Sequence, residues 1–296
     1  MKATQNVAQI QAVLHKDYGL VGRDAEVDSL VHCVRAGKHV LLEGPVGVGK
    51  TFLVSAVAEL LGKEVVRVDG DSRYTEQKLT GWFDPPTVLK SGYGKDSYFD
   101  GPLAQAMRDG AILFINELNR MPEGVQNVLL PALDEGRVEI PRIGELKAKT
   151  GFTVIATQNP REFVATSHLS EALLDRFELI TLHYQNEQDE REILKNATSF
   201  AEKGKSDPEL LEWSLQLVRA TRGSALFKRG ASIRAGISLY DIAHSMGGGW
   251  DNFLRAAWIS LPTRVELSEE GIEQGFKTVI ESLAEQAKKK SRTAKP

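Results

Sequence analysis

Cysteine occurs once in these 296 residues, at Cys33, which excludes an internal disulfide framework and a thiolate zinc site built by this chain alone. A reducing, cytoplasmic compartment is expected. No apolar run approaches the ~18 residues needed to cross a bilayer, so no membrane insertion is expected. The N-terminal stretch MKATQNVAQIQAVLHKDYG is polar and has no apolar core of a signal peptide. A dominant charge is also missing. There are 37 basic and 40 acidic residues, a net charge of -3, so no strong field draws the molecule to nucleic acid or anionic lipid. The six histidines (His15, His32, His39, His168, His183, His244) show no paired ligand spacing and read as core or surface residues. Ser167-His168 near Glu171 lacks the context of a nucleophile elbow. No repeat of about 20–50 residues is visible, which argues against a solenoid or propeller.

Hydrophobic residues make up 42% of the chain, enough for a sizeable core, and the length suits one or two domains. Short apolar runs at 39–42, 65–68, 111–115, 153–156 and 179–182 read as buried strands. Helical patterns at 52–61, 102–108, 125–133 and 171–176 lie between them, which predicts an α/β fold with a parallel sheet covered on both faces. Beyond residue 182 only helical spacing remains, at 187–203, 207–219, 232–245 and 268–288. The expected division is an α/β core over 1–186, an all-α unit over 187–287 and a basic disordered tail over 288–296. From residue 187 onward there are 17 basic and 16 acidic residues, so neither part is strongly charged. Two segments fit neither pattern. Residues 82–99 are rich in Pro, Gly and aromatics, and residues 137–151 read as a hairpin with Lys147 and Lys149 at its end. Trp82, Phe83, Tyr93, Tyr98 and Phe99 either grip a substrate or pack the first segment onto the core.

The most specific motif is Gly44-Pro45-Val46-Gly47-Val48-Gly49-Lys50-Thr51, a full GxxxxGK[ST] between a predicted strand and a predicted helix. Its backbone N–H groups would cradle phosphates at a helix N-terminus. Lys50 would meet the β- and γ-phosphates, and the Thr51 hydroxyl would meet Mg²⁺. Val21-Gly22-Arg23 lies where a base would sit, or simply starts a helix.

The strand ending in Asn116-Glu117 has the form of a Walker B element with an amide in place of the usual aspartate. Asn116 can accept a hydrogen bond from a magnesium-bound water but brings no charge. Glu117 is the expected base or water-orienting group. The missing charge leaves open a slow ATPase or a non-hydrolysing nucleotide switch. Asn159 ends the next strand and is a candidate for contacting the attacking water or the γ-phosphate, or else a turn former before Pro160. Arg176 is a candidate arginine finger or a local ion-pairing residue. Arg234, in the first turn after Ser232, is unfavourable for the helix dipole and predicts an anionic partner. Arg120 is a second candidate interface arginine.

The strings GPVGVGKT, NELNR, IATQNP, LSEALLDRF and GASIRA resemble the AAA+ superfamily, and MoxR-type ATPases in particular, from about residue 18 to 283. The resemblance departs from the MoxR pattern Asp-Glu-Ile-Asn-Arg at Asn116 and Leu118. It implies a P-loop NTPase core with five strands in the order 5-1-4-3-2 and a C-terminal helical lid. Asn159, Arg176 and Arg234 would be first sensor, arginine finger and second sensor. Residues 82–99 would be the helix-2 insert and 137–151 the pre-sensor hairpin, both projecting toward the substrate or the pore of a ring. The resemblance further implies ATP and Mg²⁺, a hexamer, and chaperone-like remodelling or cofactor insertion on a protein partner, usually with a von Willebrand factor A domain protein in trans. A nucleic-acid-dependent NTPase motor is the alternative, with only Lys147 and Lys149 as local support.

Overall fold

The computed structural model describes residues 6–159, 169–198 and 207–293. Pro160, Ser167, His168, the end of the predicted 187–203 helix and the last three residues lie outside them. The chain divides into two compact units: Met1–Pro45 with Gly49–His183, and Val46–Val48 with Tyr184–Pro296.

The first unit is built on a five-stranded parallel sheet. Its strands are β1 (Val40–Glu43), β2 (Val65–Asp69), β3 (Ile112–Asn116), β4 (Thr153–Gln158) and β5 (Glu178–Thr181). In space they run β5-β1-β4-β3-β2, the 5-1-4-3-2 order implied by the family resemblance. Ile112 to Ile115 are fully buried, as expected of a strand covered on both faces. Each such side chain contributes roughly 1.5–3 kcal/mol of transfer free energy before chain entropy is subtracted. The register aligns Glu43 with Gln158 and Asp69 with Asn116, so polar residues collect at the carboxyl edge of an otherwise apolar sheet. Ligands bind at that edge in open α/β sheets.

Helices α1 (Val7–Asp17), α2 (Asp24–Arg35), α3 (Lys50–Leu60) and α4 (Pro102–Asp109) belong to the same unit. The helix expected over 125–133 is two short helices, Glu123–Asn127 and Leu129–Asp134. Pro131 has no N–H to return to the Asn127 carbonyl, which interrupts the ladder there. Residues 81–100 form an antiparallel pair, Gly81–Phe83 with Tyr98–Asp100, enclosing a helix over Pro85–Ser91. Residues 137–147 form a second hairpin, Arg137–Ile140 with Gly144–Lys147. Arg142 sits in its turn at φ 69°, and Lys147 lies opposite Arg137 at the base, ion-paired to Glu145 at 3.2 Å.

The second unit contains α5 (Glu187–Ala197), α6 (Pro208–Gly223), α7 (Ile233–Ser245), α8 (Trp250–Ser260) and α9 (Phe276–Thr293) around their own core. Asn186 and Asp207 cap α5 and α6 through their side chains. The unit is not purely helical, because Phe227–Arg229 pairs antiparallel with Glu266–Leu267. Strands of three and two residues are too short to show a period in sequence. Helix α8, absent from the sequence reading, buries Phe253, Ala256 and Ala257 at helical spacing. The expected disordered tail is also corrected: residues 288–293 complete α9. Lys288 lies 4.0 Å from the Trp250 ring centroid and Lys290 lies 3.4 Å from Glu187, so this basic turn has partners as well as a favourable helix dipole. Among the described residues no helix is long and apolar enough to cross a membrane.

Candidate nucleotide site

Helix α3 opens directly from the glycine-rich loop. Gly49 adopts φ 94° and no side chain caps the helix, so its first N–H groups are left for an anion. Lys50 is buried. Its Nζ donates to the carbonyls of Gly44 and Pro45, the latter at 3.0 Å, and to Asn159 Oδ1 at 3.0 Å. These oxygens occupy the coordination that phosphate oxygens would take. The loop tip, Val46–Val48, groups with the second unit. A Cβ on Gly47 would lie 2.6 Å from Ser232 Oγ, and φ there is 85°, so only glycine fits.

Strand β3 delivers the acidic side of the site. Asn116 Oδ1 accepts from Thr157 Oγ1 at 3.0 Å and lies 3.4 Å from Thr51 Oγ1. Thr157 Oγ1 also accepts the Glu117 N–H at 2.9 Å. Glu117 itself is left-handed, at φ 58°. Such strain in a residue with a side chain persists only where the surroundings enforce it. Here the surroundings are the Thr157 hydrogen bond and the close approach of Gly70, whose Cβ would lie 2.1 Å from the Glu117 carbonyl. The turn aims the Glu117 carboxylate at Asn159 Nδ2, 3.2 Å away, and at Arg120 Nη1, 2.7 Å away. Hydrogen bonding to Glu117 raises the Arg120 pKa above its already high ordinary value.

Lys50, Thr51, Asn116, Glu117 and Asn159 therefore converge at the carboxyl edge of β1, β3 and β4. The donor set suits a hydrated Mg²⁺: a threonine hydroxyl and an amide oxygen on one side, a carboxylate beyond them. Sequence reasoning overlooked Thr157 and Asp69. Thr157 was visible only as a polar residue in a buried strand, and Asp69 only as the polar end of an apolar run.

The other candidates are placed elsewhere. Val21 is buried and Gly22 is left-handed. Arg23 donates to Glu26 at 2.7 Å and to the His183 carbonyl at 2.6 Å, tying this turn to the end of β5. Arg176 donates to Asp134 and to the Ala172 carbonyl, and its pKa is raised by the Asp134 hydrogen bond. Arg234 lies in the first turn of α7 in the second unit, has no acidic partner among the described residues, and Ser232 makes no side-chain cap. The aromatic segment divides by strand alternation. Phe83 meets Tyr93 and Tyr98 edge-on at 5.0 and 5.2 Å, whereas Trp82 and Phe99 stack at 6.0 Å and are about half exposed. A cavity of about 670 Å³ separates the Phe83 side from the 137–147 hairpin, whose Arg142 lies 4.0 Å from the Tyr93 ring centroid.

Comparison with known proteins agrees with this architecture. The AAA domain (dynein-related subfamily) matches residues 39–177. An uncharacterised protein of Staphylococcus aureus (strain bovine RF122 / ET3-1) is 31% identical over 212 residues, covering 69% of this chain and 78% of the relative. An uncharacterised protein of Staphylococcus epidermidis is 30% identical over 211 residues, covering 71% and 79%. Among solved structures, a candidate ATPase of Cytophaga hutchinsonii is similar at 24% identity with a TM-score of 0.51, covering 94% of each chain. The Thermotoga maritima RuvB Holliday junction branch migration motor is similar at 19% identity with a TM-score of 0.52, covering 81% of this chain and 70% of that one. The last two likenesses concern the fold alone. The loop and the sheet order agree with the family match: this chain carries an AAA domain of the dynein-related subfamily over residues 39–177.

Proposed function

We propose that this protein binds and hydrolyses ATP with Mg²⁺ and uses the energy, as a MoxR-type ring, to remodel a protein partner. The observation that carries the ATPase reading is the convergence of Lys50, Thr51, Asn116, Glu117 and Asn159 around an uncapped helix N-terminus. On binding, triphosphate oxygens replace the carbonyl and amide partners of Lys50. Thr51 and Asn116 would hold Mg²⁺, Asn116 through a bound water, and the ion when bound would neutralise charge on the phosphates. Glu117 orients a water for in-line attack on the γ-phosphorus and takes its proton at a carboxylate oxygen as the bond to ADP breaks. Asn159 fixes that carboxylate and the γ-phosphate relative to each other. Arg176 serves the neighbouring subunit's nucleotide and Arg234 the same chain's phosphates, the roles the family resemblance implies.

The two projecting segments are the proposed contacts to the protein partner, with a von Willebrand factor A domain protein as the expected companion. A phosphate-release assay with Mg²⁺ tests the enzyme reading, with Lys50→Ala as the null. Release no greater than that of Lys50→Ala, with nucleotide still bound, would make the protein a nucleotide switch. A pull-down with the Glu117→Gln trap tests the partner. Stimulation of turnover by DNA at moderate salt would instead favour a nucleic-acid motor, for which Lys147, one of its two local supports, is engaged by Glu145.

A further inference from the structure

Asn116 has a neighbour across the sheet that sequence order hides. Asp69, at the carboxyl end of β2, stands in register with it. Asn116 Nδ2 donates to Asp69 Oδ1 at 2.9 Å, while Oδ1 of the same amide accepts from Thr157 and faces Thr51. An ionised carboxylate can only accept hydrogen bonds. Turning the amide over would set its oxygen against the Asp69 oxygen and remove the acceptor that the Thr157 hydroxyl now uses. The Thr157 oxygen also accepts from the Glu117 N–H. The Asp69 carboxylate therefore selects one orientation, with Oδ1 toward Thr51, and the Thr157 hydroxyl donates to that oxygen.

Asp69 is itself held. Arg67, two residues earlier and so on the same face of β2, donates to it from Nη2 at 2.8 Å and from Nε at 3.2 Å, with its guanidinium 6.0 Å from the Phe114 ring centroid. The same row accounts for the amide at position 116. An aspartate there would bring a second carboxylate within hydrogen-bond distance of the first, and like charges at that separation repel.

We propose that Asp69 is a positioning residue for the metal site, which locks the Asn116 amide with Oδ1 toward Thr51 and supplies from the adjacent strand the negative charge that position 116 lacks. This rests on the Mg²⁺–ATP reading of the site. The test uses the full chain with a non-hydrolysable ATP analogue, following Mn²⁺ by electron paramagnetic resonance, with phosphate release against Mg²⁺ measured in parallel. Asp69→Asn should raise the Mn²⁺ midpoint about tenfold, the effect of removing a charged hydrogen-bond partner, and leave nucleotide affinity in EDTA unchanged. The transposed double variant Asp69→Asn with Asn116→Asp should return the midpoint to within about threefold of the native value, because the charge is restored to the same pair. An unchanged midpoint in Asp69→Asn overturns the inference. So does a double variant no better than the single one, or a single variant that also loses metal-free binding, since either outcome describes a merely structural role. A native chain that binds no nucleotide overturns the ATP reading and this inference together. A native chain that hydrolyses ATP beside an unaffected Asp69→Asn overturns this inference alone.

Discussion

Lys50 donates to the Asn159 carboxamide at 3.0 Å, and the other end of that amide donates to Glu117 at 3.2 Å. One side chain thus spans the proposed phosphate-binding cation and the proposed water-orienting carboxylate. Asn159→Ala should keep nucleotide affinity near native and lower turnover by about 10²–10³-fold, the range seen when one polar group is removed from a preorganised site. Single-turnover phosphate release beside equilibrium nucleotide binding separates the two. Asn159→Asp should be as inactive, because it sets a carboxylate against Glu117.

Arg120 holds Glu117 from the solvent side, and its side chain is about half exposed. Such a pair contributes at most about 1 kcal/mol, so Arg120→Ala should barely change thermal stability. It should raise basal turnover severalfold by releasing the carboxylate. A collapse of turnover instead would place Arg120 at a subunit interface.

Arg176 lies folded onto Asp134 and the Ala172 carbonyl. If it completes a neighbour's site, Arg176→Ala keeps nucleotide binding and loses turnover by about 10³-fold or more. Mixing it with Lys50→Ala subunits should restore part of the activity, since each variant lacks what the other supplies. Full native activity in a dilute sample shown to be monomeric by light scattering would refute a shared site.

Gly70 passes within contact distance of the Glu117 carbonyl, where a methyl group would lie 2.1 Å from oxygen. Gly70→Ala should cost on the order of 2 kcal/mol through overpacking. It should also displace the Glu117 turn, so activity falls further than stability alone explains. Chemical denaturation and phosphate release on the same preparation would show both effects.

His39 accepts the Val154 N–H at Nδ1, 2.9 Å away, in a mostly apolar surround that includes Phe152. Burial lowers its pKa from the ordinary value near 6.5. The unfolded chain therefore binds this proton first as pH falls, so the contribution to stability is intact above about pH 6.5 and is lost toward the lower, folded-state pKa. His39→Asn keeps an acceptor at the same place and cannot titrate there. Its denaturation midpoint should depend less on pH between about 7 and 5 than that of the native protein.

The sheet was legible because parallel strands buried on both faces read as continuous apolar runs, and all five lie within two residues of where those runs predict them. The phosphate loop was legible because its residues are contiguous. Helix α8 was overlooked although Phe253, Ala256 and Ala257 carry the helical period; it follows directly on three glycines at 247–249, which interrupt that period. The two-stranded ribbon of the second unit has no local signal, because its pairing joins residues about forty positions apart.

The sequence by itself determined the phosphate-loop motif, the alternation of strand and helix, and the identity of Lys50, Thr51, Glu117 and Asn159 as the residues of interest. Those properties follow from local periodicity and from a motif whose parts are neighbours in the chain. Only the tertiary structure decided what surrounds Asn116. Read along the chain, that position is a carboxylate lost. Across the sheet, parallel register sets Asp69 beside it and Thr157 on its other flank. The Asp69 carboxylate, 47 residues away in the chain, orients the amide, and the Thr157 hydroxyl, 41 residues away, donates to its oxygen.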